Sequence, residues 1–522
     1  MNKKISIFDS TLRDGAQSEG ISFSLQDKLA VTSYLDNLGI DYIECGNPGS
    51  NPKDREFFRE IKKLKLANAK PVAFTSTHKL GVPPEEDAAL ASVLEADTEY
   101  VTVFGKTSVF HVKNILCTGK EKNLNLIEST IKYLVSKNKK VFFDAEHFFD
   151  GYRDNSAYAM AAVKTAVNAG ACAVVLCDTN GGTFPDEIGR VTKEIAAAFP
   201  DVQIGIHAHN DMGMAEACSY FAVENGARQV QGTFGGFGER CGNSNLCTVI
   251  GNLQLKLGYE CIPPENIKNL TKVSRSICEI LNVSQDAHLP YVGASAFTHK
   301  GGMHTDAVLK DARSYEHVNP ELTGNKRTLL INEMGGRSAL LPAIRSVEPS
   351  LGKDSAQTKK ILKKLKKLEQ SGYDFEAAEG SVHLLVAKEL DRYKPHFDLV
   401  EFNVMISEPV IDKSATAMIT IGVDGTNETT AAKGNGPVNA LDTALRKALG
   451  AFYPIISNVY LKDYKVRVLG SQDGTASRVR VLITSSDGDR VWRTVGVSQD
   501  IIEASWLALV DSVEYYLSSI DM

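Results

Sequence analysis

The chain has 522 residues, 43% hydrophobic and 23% charged, with a formal net charge of −6. That length holds about three ordinary domains, the mild acidity gives no electrostatic reason to bind nucleic acid, and no apolar stretch approaches the ~20 residues that span a bilayer. Nine cysteines without a CxxC fit a reducing cytosol better than a disulfide framework. MNKKISIFDS has no long apolar core of a signal peptide, so a cytoplasmic protein is expected.

The first 260 residues alternate short β-branched or aromatic runs with longer amphipathic segments. The runs are ISIFDST (5–11), DYIECG (41–46), KPVAFTST (70–77), YVTVFG (100–105), KVFFDAEHF (140–148), ACAVVLCDT (171–179), QIGIHAHN (203–210) and QVQGTFGG (229–236). Strands alternating with helical patterns imply βαβ units and a parallel sheet. Eight units in residues 1–265 predict a closed (β/α)8 TIM barrel. An open doubly wound sheet is disfavoured, because no GxGxxG follows the first strand.

Residues 266–398 read as a mostly helical linker, including a lysine-rich stretch around SAQTKKILKKLKKLEQ whose lysines fit a solvated helix face. Residues 399–522 carry an internal duplication. SATAMITIGVDGTNETTAAKGNGPVNALDTALRKAL (414–449) resembles ASRVRVLITSSDGDRVWRTVGVSQDIIEASWLALVDSV (476–513). Each half predicts a strand, an Asp-Gly turn, a second strand and a helix. A tandem α+β domain without a nucleophile or metal cluster reads as a binding or regulatory module.

In such barrels the active groups stand at the C-terminal ends of the strands. Strand 1 ends in Asp9, Arg13 and Asp14, strand 5 in Asp144, Glu146 and His147, strand 6 in Asp178 and Thr179, and strand 7 in His207, His209, Asn210 and Asp211. Glu239, Arg240 and Asn243 follow strand 8. Two histidines at i, i+2 are by themselves more often surface residues, and Asp14 alone could cap a helix. Together, Asp14, His207 and His209 suit a divalent cation with open positions, with the Asn243 carboxamide as a further oxygen ligand. The donors do not choose among manganese, magnesium, zinc and cobalt. A metal beside Arg13 suits a chelating 2-keto acid, with Arg13 countering charge on the keto oxygen. Thr179 could donate to the substrate carboxylate, and Glu146 could position an attacking group or move a proton. His78 and His147 are weaker candidates.

DSTLRDGAQ, HAHNDMG, GERCGNSNL and FTHKGGMHTDAVLK, with the C-terminal repeat, resemble the 2-isopropylmalate, homocitrate and citramalate synthase family over nearly the whole chain. DAEHFFDGY (144–152) and KDARSYEHVNPELTGNKR (310–327) resemble its citramalate synthase branch. The resemblance implies an acyltransferase that condenses acetyl-CoA with pyruvate or another small 2-keto acid. It implies Asp14, His207, His209 and Asn243 as the metal set, Arg13, Glu146 and Thr179 at the substrate, and His304 as a base inserted by the partner subunit of a homodimer, with Tyr315 beside it. It also implies a C-terminal domain that binds a branched-chain amino acid, isoleucine first, and inhibits. Strand 5 carries Asp144 and Glu146 where short citramalate synthases have an apolar or aromatic wall. Two alternatives stay open: a 2-isopropylmalate synthase accepting 2-oxoisovalerate, and a metal-dependent acyl-CoA lyase on the same barrel. A purely sensory protein would tolerate decay of the ionic cluster, yet Arg13, Asp14, Glu146, His207 and His209 are all present.

Overall fold

The computed structural model describes residues 3–330, 336–376, 378–407, 415–469 and 477–520. Eight strands form a closed parallel barrel in chain order: β1 (Ser6–Asp9), β2 (Tyr42–Gly46), β3 (Lys70–Ser76), β4 (Tyr100–Lys106), β5 (Lys140–Glu146), β6 (Ala173–Asp178), β7 (Gln203–Ala208) and β8 (Gln229–Gly232). β8 closes on β1 from Ser6 opposite Gln229 to Asp9 opposite Gly232. Every predicted run contributes a strand, because parallel strands covered on both faces read as near-continuous apolar segments.

The connecting helices begin and end on local signals. In Leu25–Leu38, Ser24 and Asp27 form a reciprocal capping box. Gly39 ends that helix at φ +95°, and a Cβ there would lie 2.3 Å from Pro263 Cδ, so only glycine fits.

Alternation along the strands sorts side chains into two layers. Ile43, Val101, Val141, Phe143, Leu176 and Ile206 face outward into the main core beneath the helices. The inward set begins as an apolar floor of Phe8, Val72, Tyr100, Phe142 and Ala173, in which Tyr100 stacks on Phe142 at 5.3 Å. Toward the C-terminal ends of the strands the inward positions are Glu44, Phe74, Phe104, Asp144, Glu146, Cys177, His207 and Gln231. The barrel is thus filled from its N-terminal end, and its polar groups collect at the other.

The chain divides into two compact units, one of residues 1–297 with 318–327 and the other of 298–317 with 328–522. The second unit includes the helices Gly302–Lys310, Gly336–Val347, Ala356–Gln370 and Glu379–Glu389. In Ala356–Gln370, Thr358, Ile361 and Leu365 are buried while the lysines face outward, as the sequence suggests. Two antiparallel sheets follow, Asp398–Ile406, Ala415–Val423 and Thr426–Gly434, then Tyr460–Leu469, Arg478–Ser486 and Val491–Ser498. Each is followed by a helix, Pro437–Gly450 or Ile501–Ser518. The duplication is real and its halves share one core, with Ile419, Leu441 and Leu445 packed in the same cluster as Ile483, Ala508 and Leu509. Asp424 and Gly425 take the two positive φ angles of a tight hairpin turn. Each half also has a leading strand beyond the duplicated pattern, Asp398–Ile406 or Tyr460–Leu469; Ser414 and Ala476, which open the two quoted segments, lie outside the described residues. Among the described residues no helix is long and apolar enough to cross a membrane.

Candidate metal centre and active site

The site is assembled on the loop after β1. The backbone N–H groups of Arg13 and Asp14 both donate to Ser10 O, at 3.1 and 2.8 Å. Asp9 accepts from the N–H and hydroxyl of Thr11 at 3.0 and 2.8 Å, and burial pushes its carboxyl up to about 7. The tight turn aims Arg13 and Asp14 into the mouth. Arg13 Nε donates to Glu44 Oε2 at 2.7 Å, its Nη1 stands 3.2 Å from Asp14 Oδ2, and its guanidinium carbon lies 4.0 Å from the centre of the Phe74 ring. Ser10 Oγ donates to the same Glu44 oxygen at 2.6 Å. The arginine is therefore held on two edges and one face.

Asp14, His207 and His209 each place one ligand atom within 4.8 Å of the others, and all three are buried. His207 Nε2 lies 3.4 Å from Asp14 Oδ2. The loop after β8 folds back along β7. Asn210 N donates to Gly242 O and Ser244 N to Ala208 O, which sets Asn243 opposite His209. Gly242 permits this return at φ +88°, where a Cβ would fall 1.9 Å from Gly236 O. Asn243 Nδ2 donates to Phe237 O at 3.1 Å.

Asp14 Oδ1, His209 Nδ1 and Asn243 Oδ1 are buried without a hydrogen-bond partner. Leaving a buried polar atom unpaired costs about 1–3 kcal/mol, a cost that a cation held by Asp14, His207 and His209 would offset. The electrostatics agree. Burial opposes the charge on Asp14, yet Arg13, His207 and His209 hold its carboxyl far below the usual range. Burial and His207 push His209 down to about 4, leaving a neutral imidazole. His207 is raised, because its bond to Asp14 and that carboxylate's charge outweigh burial. An anionic oxygen and two imidazoles suit a divalent cation.

Around these groups is a cavity of about 280 Å³, lined also by Gln17, Phe74, Phe104, Glu146, Thr179 and Arg240. Phe74 and Phe104 stack at 5.1 Å as one apolar wall. Glu146 pairs with Lys106. Thr179 Oγ1 accepts from His147 N at 2.8 Å, and Arg240 donates to Thr179 O and to both oxygens of Asp211. Asp144, also on the wall, is pushed up to about 7 by burial and by Glu44.

Arg13, Asp14, Glu146, Thr179, His207 and His209 thus meet at one cavity, with Asn243 paired against His209. His304 and Tyr315 belong to the second unit, where their rings stack at 3.9 Å. His78 bonds Ser129 at 2.7 Å, and His147 stacks on His111 at 3.6 Å. Glu44, Phe74, Phe104, Lys106 and Gln231 were not singled out from the sequence. Their signal was strand parity: each shares the inward face of a strand that starts in the aromatic floor or carries a site histidine's neighbour.

The HMGL-like family model matches residues 4–277, a homocitrate synthase post-HMGL domain-like model 291–373, and a LeuA allosteric (dimerisation) domain model 376–517. The chain is 49% identical to the (R)-citramalate synthase of Aquifex aeolicus, covering 99% of this chain and 98% of that one. It is 48% identical to the (R)-citramalate synthase of Synechocystis, over 98% and 96%. Identity to the 2-isopropylmalate synthase of Shewanella loihica is 30%, over 98% and 94%.

Proposed function

The chain belongs to the (R)-citramalate synthase family, on an HMGL-like barrel, and from that membership we propose that it condenses acetyl-CoA with pyruvate to give citramalate and CoA. The observation that carries this reading is the Arg13–Glu44 pair set beside Asp14, His207 and His209 in one small cavity. Identity near 49% to citramalate synthases against 30% to a 2-isopropylmalate synthase favours pyruvate over a branched acceptor.

Asp14, His207 and His209 would hold the divalent cation, with Asn243 as a further oxygen donor. When bound, the cation supplies Lewis-acid polarisation of a ketone. Arg13 is oriented to stabilise negative charge growing on the keto oxygen, and Glu44 keeps its guanidinium from swinging away. The Thr179 hydroxyl binds the keto acid carboxylate, and Glu146 orients the acetyl group or moves a proton. Phe74 and Phe104 close the space beside the pyruvate methyl. The acetyl methyl loses a proton, its carbon bonds to the keto carbon, the keto oxygen becomes a hydroxyl, and water cleaves the thioester to a carboxylate and the CoA thiol.

His304 is the base that takes the methyl proton, supplied from the partner subunit of a homodimer with Tyr315 stacked on it. The stacked pair and the match to a dimerisation domain support this. His304→Ala is expected to keep the metal and lose 10²–10⁴-fold in turnover, the usual worth of a general base. Co-expression with Arg13→Ala chains should return activity, since each mixed dimer then holds one intact site. Mixed dimers as inactive as either parent would sink the partner-subunit role.

The regulatory domain binds a branched-chain amino acid, isoleucine first, and inhibits; the protein works in the cytoplasm, where its nine free cysteines suit reducing conditions. The deciding assay follows CoA release from acetyl-CoA over a panel of 2-keto acids, with metal supplied. Pyruvate is expected to give the highest kcat/KM, and isoleucine to inhibit more strongly than leucine or valine. Faster turnover of 2-oxoisovalerate would make it a 2-isopropylmalate synthase, cleavage of a hydroxyacyl-CoA without condensation would make it a lyase, and no release with any acceptor would overturn the reading.

A further inference from the structure

We propose that Gln231 is a positioning residue that dictates which nitrogen of His207 faces the metal, and that Asp144 locks the Gln231 amide in the orientation this requires. The three side chains form an unbroken relay. His207 Nδ1 donates to Gln231 Oε1 at 2.9 Å, and Gln231 Nε2 donates to Asp144 Oδ1 at 3.2 Å. The other nitrogen of His207 points at Asp14. All three side chains are buried, Gln231 at 0% exposure, Asp144 at 4% and His207 at 5%.

The backbone fixes the relay as firmly as the side chains do. His207 and Gln231 are register partners across β7 and β8, so their side chains leave the sheet next to each other on the same face. Asp144 reaches them from β5 across the barrel interior.

A carboxamide has one accepting and one donating end. If the Gln231 amide were reversed, its NH2 group would face Nδ1, and the proton would move to Nε2, the nitrogen the metal needs. With Asp144 ionised, the reversed amide would also turn its carbonyl against a carboxylate that has no proton to donate. Asp144 therefore selects the Gln231 orientation, and Gln231 selects the His207 tautomer. A histidine ligand usually gives its second N–H to a carboxylate, a carbonyl or water, and loss of that partner typically costs 10–100-fold in metal affinity. Here a neutral amide is interposed, so His207 is oriented without a further full negative charge directly on its ring. That leaves Asp14 as the anionic member of the cluster.

This role rests on the metal reading of Asp14, His207 and His209, and the two can be told apart. The metal-free full-length protein is titrated with Co²⁺ alone, reading both the dissociation constant and the visible ligand-field spectrum. Wild type that binds no Co²⁺ would overturn the metal reading itself. Wild-type binding with Gln231→Leu weakened 10–100-fold and an altered spectrum is the expected result. The exchange variant Gln231→Glu/Asp144→Asn reverses the charges of the relay while keeping an acceptor for Nδ1 and a donor between the two side chains. It is expected to bind within about threefold of wild type. Unchanged affinity and spectrum in Gln231→Leu would overturn the positioning role. So would an exchange variant as weak as Gln231→Leu, and this arm decides the matter if Gln231→Leu fails to fold.

Discussion

His209→Ala is expected to give a folded protein that no longer retains a divalent cation and has lost on the order of a thousandfold or more in turnover, the several kcal/mol of charge stabilisation a metal supplies. Folding should survive, because His209 Nδ1 has no hydrogen-bond partner and its removal orphans nothing. The ring also stands at the end of β7, beyond the apolar floor. The same site gives the wild type a signed pH dependence. His207 is raised above its ordinary value of 6.5, so as pH falls through that raised value a proton displaces the metal from it. His209, held at about 4, begins to compete only in much stronger acid. Affinity for Mn²⁺ should therefore fall from neutral pH downward, with about half a proton released per metal bound at the His207 midpoint and close to one well below it. Calorimetry in two buffers of different protonation enthalpy counts that proton, and metal analysis after gel filtration checks the variant. Stoichiometric metal in His209→Ala would remove this residue from the ligand set.

Arg13→Ala is expected to fail in two separable ways. Its partner Glu44 is 0% exposed, and Arg13 is the cation bonded to it. Breaking a buried pair from one side leaves an uncompensated charge and costs about 3–5 kcal/mol, so the melting temperature should drop. The double variant Arg13→Ala/Glu44→Gln removes both charges and should recover most of that stability. It should not recover activity, which is expected to stay down about 10²–10³-fold in kcat at saturating metal, the worth of one preorganised oxyanion partner. Thermal melts beside steady-state kinetics separate the effects. If the double variant regains activity with its stability, Arg13 serves the fold and not the reaction.

The barrel was legible because its strands are covered on both sides, which keeps each run apolar from end to end. The clustering of Asp14, His207 and His209 was legible because a barrel of this kind puts chemistry at one end of every strand. Glu44 was not, since DYIECG reads as another buried run, and a carboxylate there makes sense only once Arg13 is seen to reach it from β1. Gln231 was hidden for the same reason: its partner His207 is 24 residues away and is met only through the β7–β8 register. The two leading strands of the C-terminal halves escaped because Asp398–Ile406 and Tyr460–Leu469 are largely exposed along their length and lack a buried alternate face to set a period.

Floor residues and site groups such as Asp144, Glu146 and His207 occupy the inward alternate positions of the barrel strands, so the centre is written in the chain as a phase. Moving β5 or β7 by two residues would change the depth of the pocket and keep its character. Moving either by one would turn Asp144 and Glu146, or His207 and His209, outward into the helical layer and present Phe143 or Ile206 to the substrate. Length changes in this family should thus be absorbed in the loops, where they leave that phase untouched.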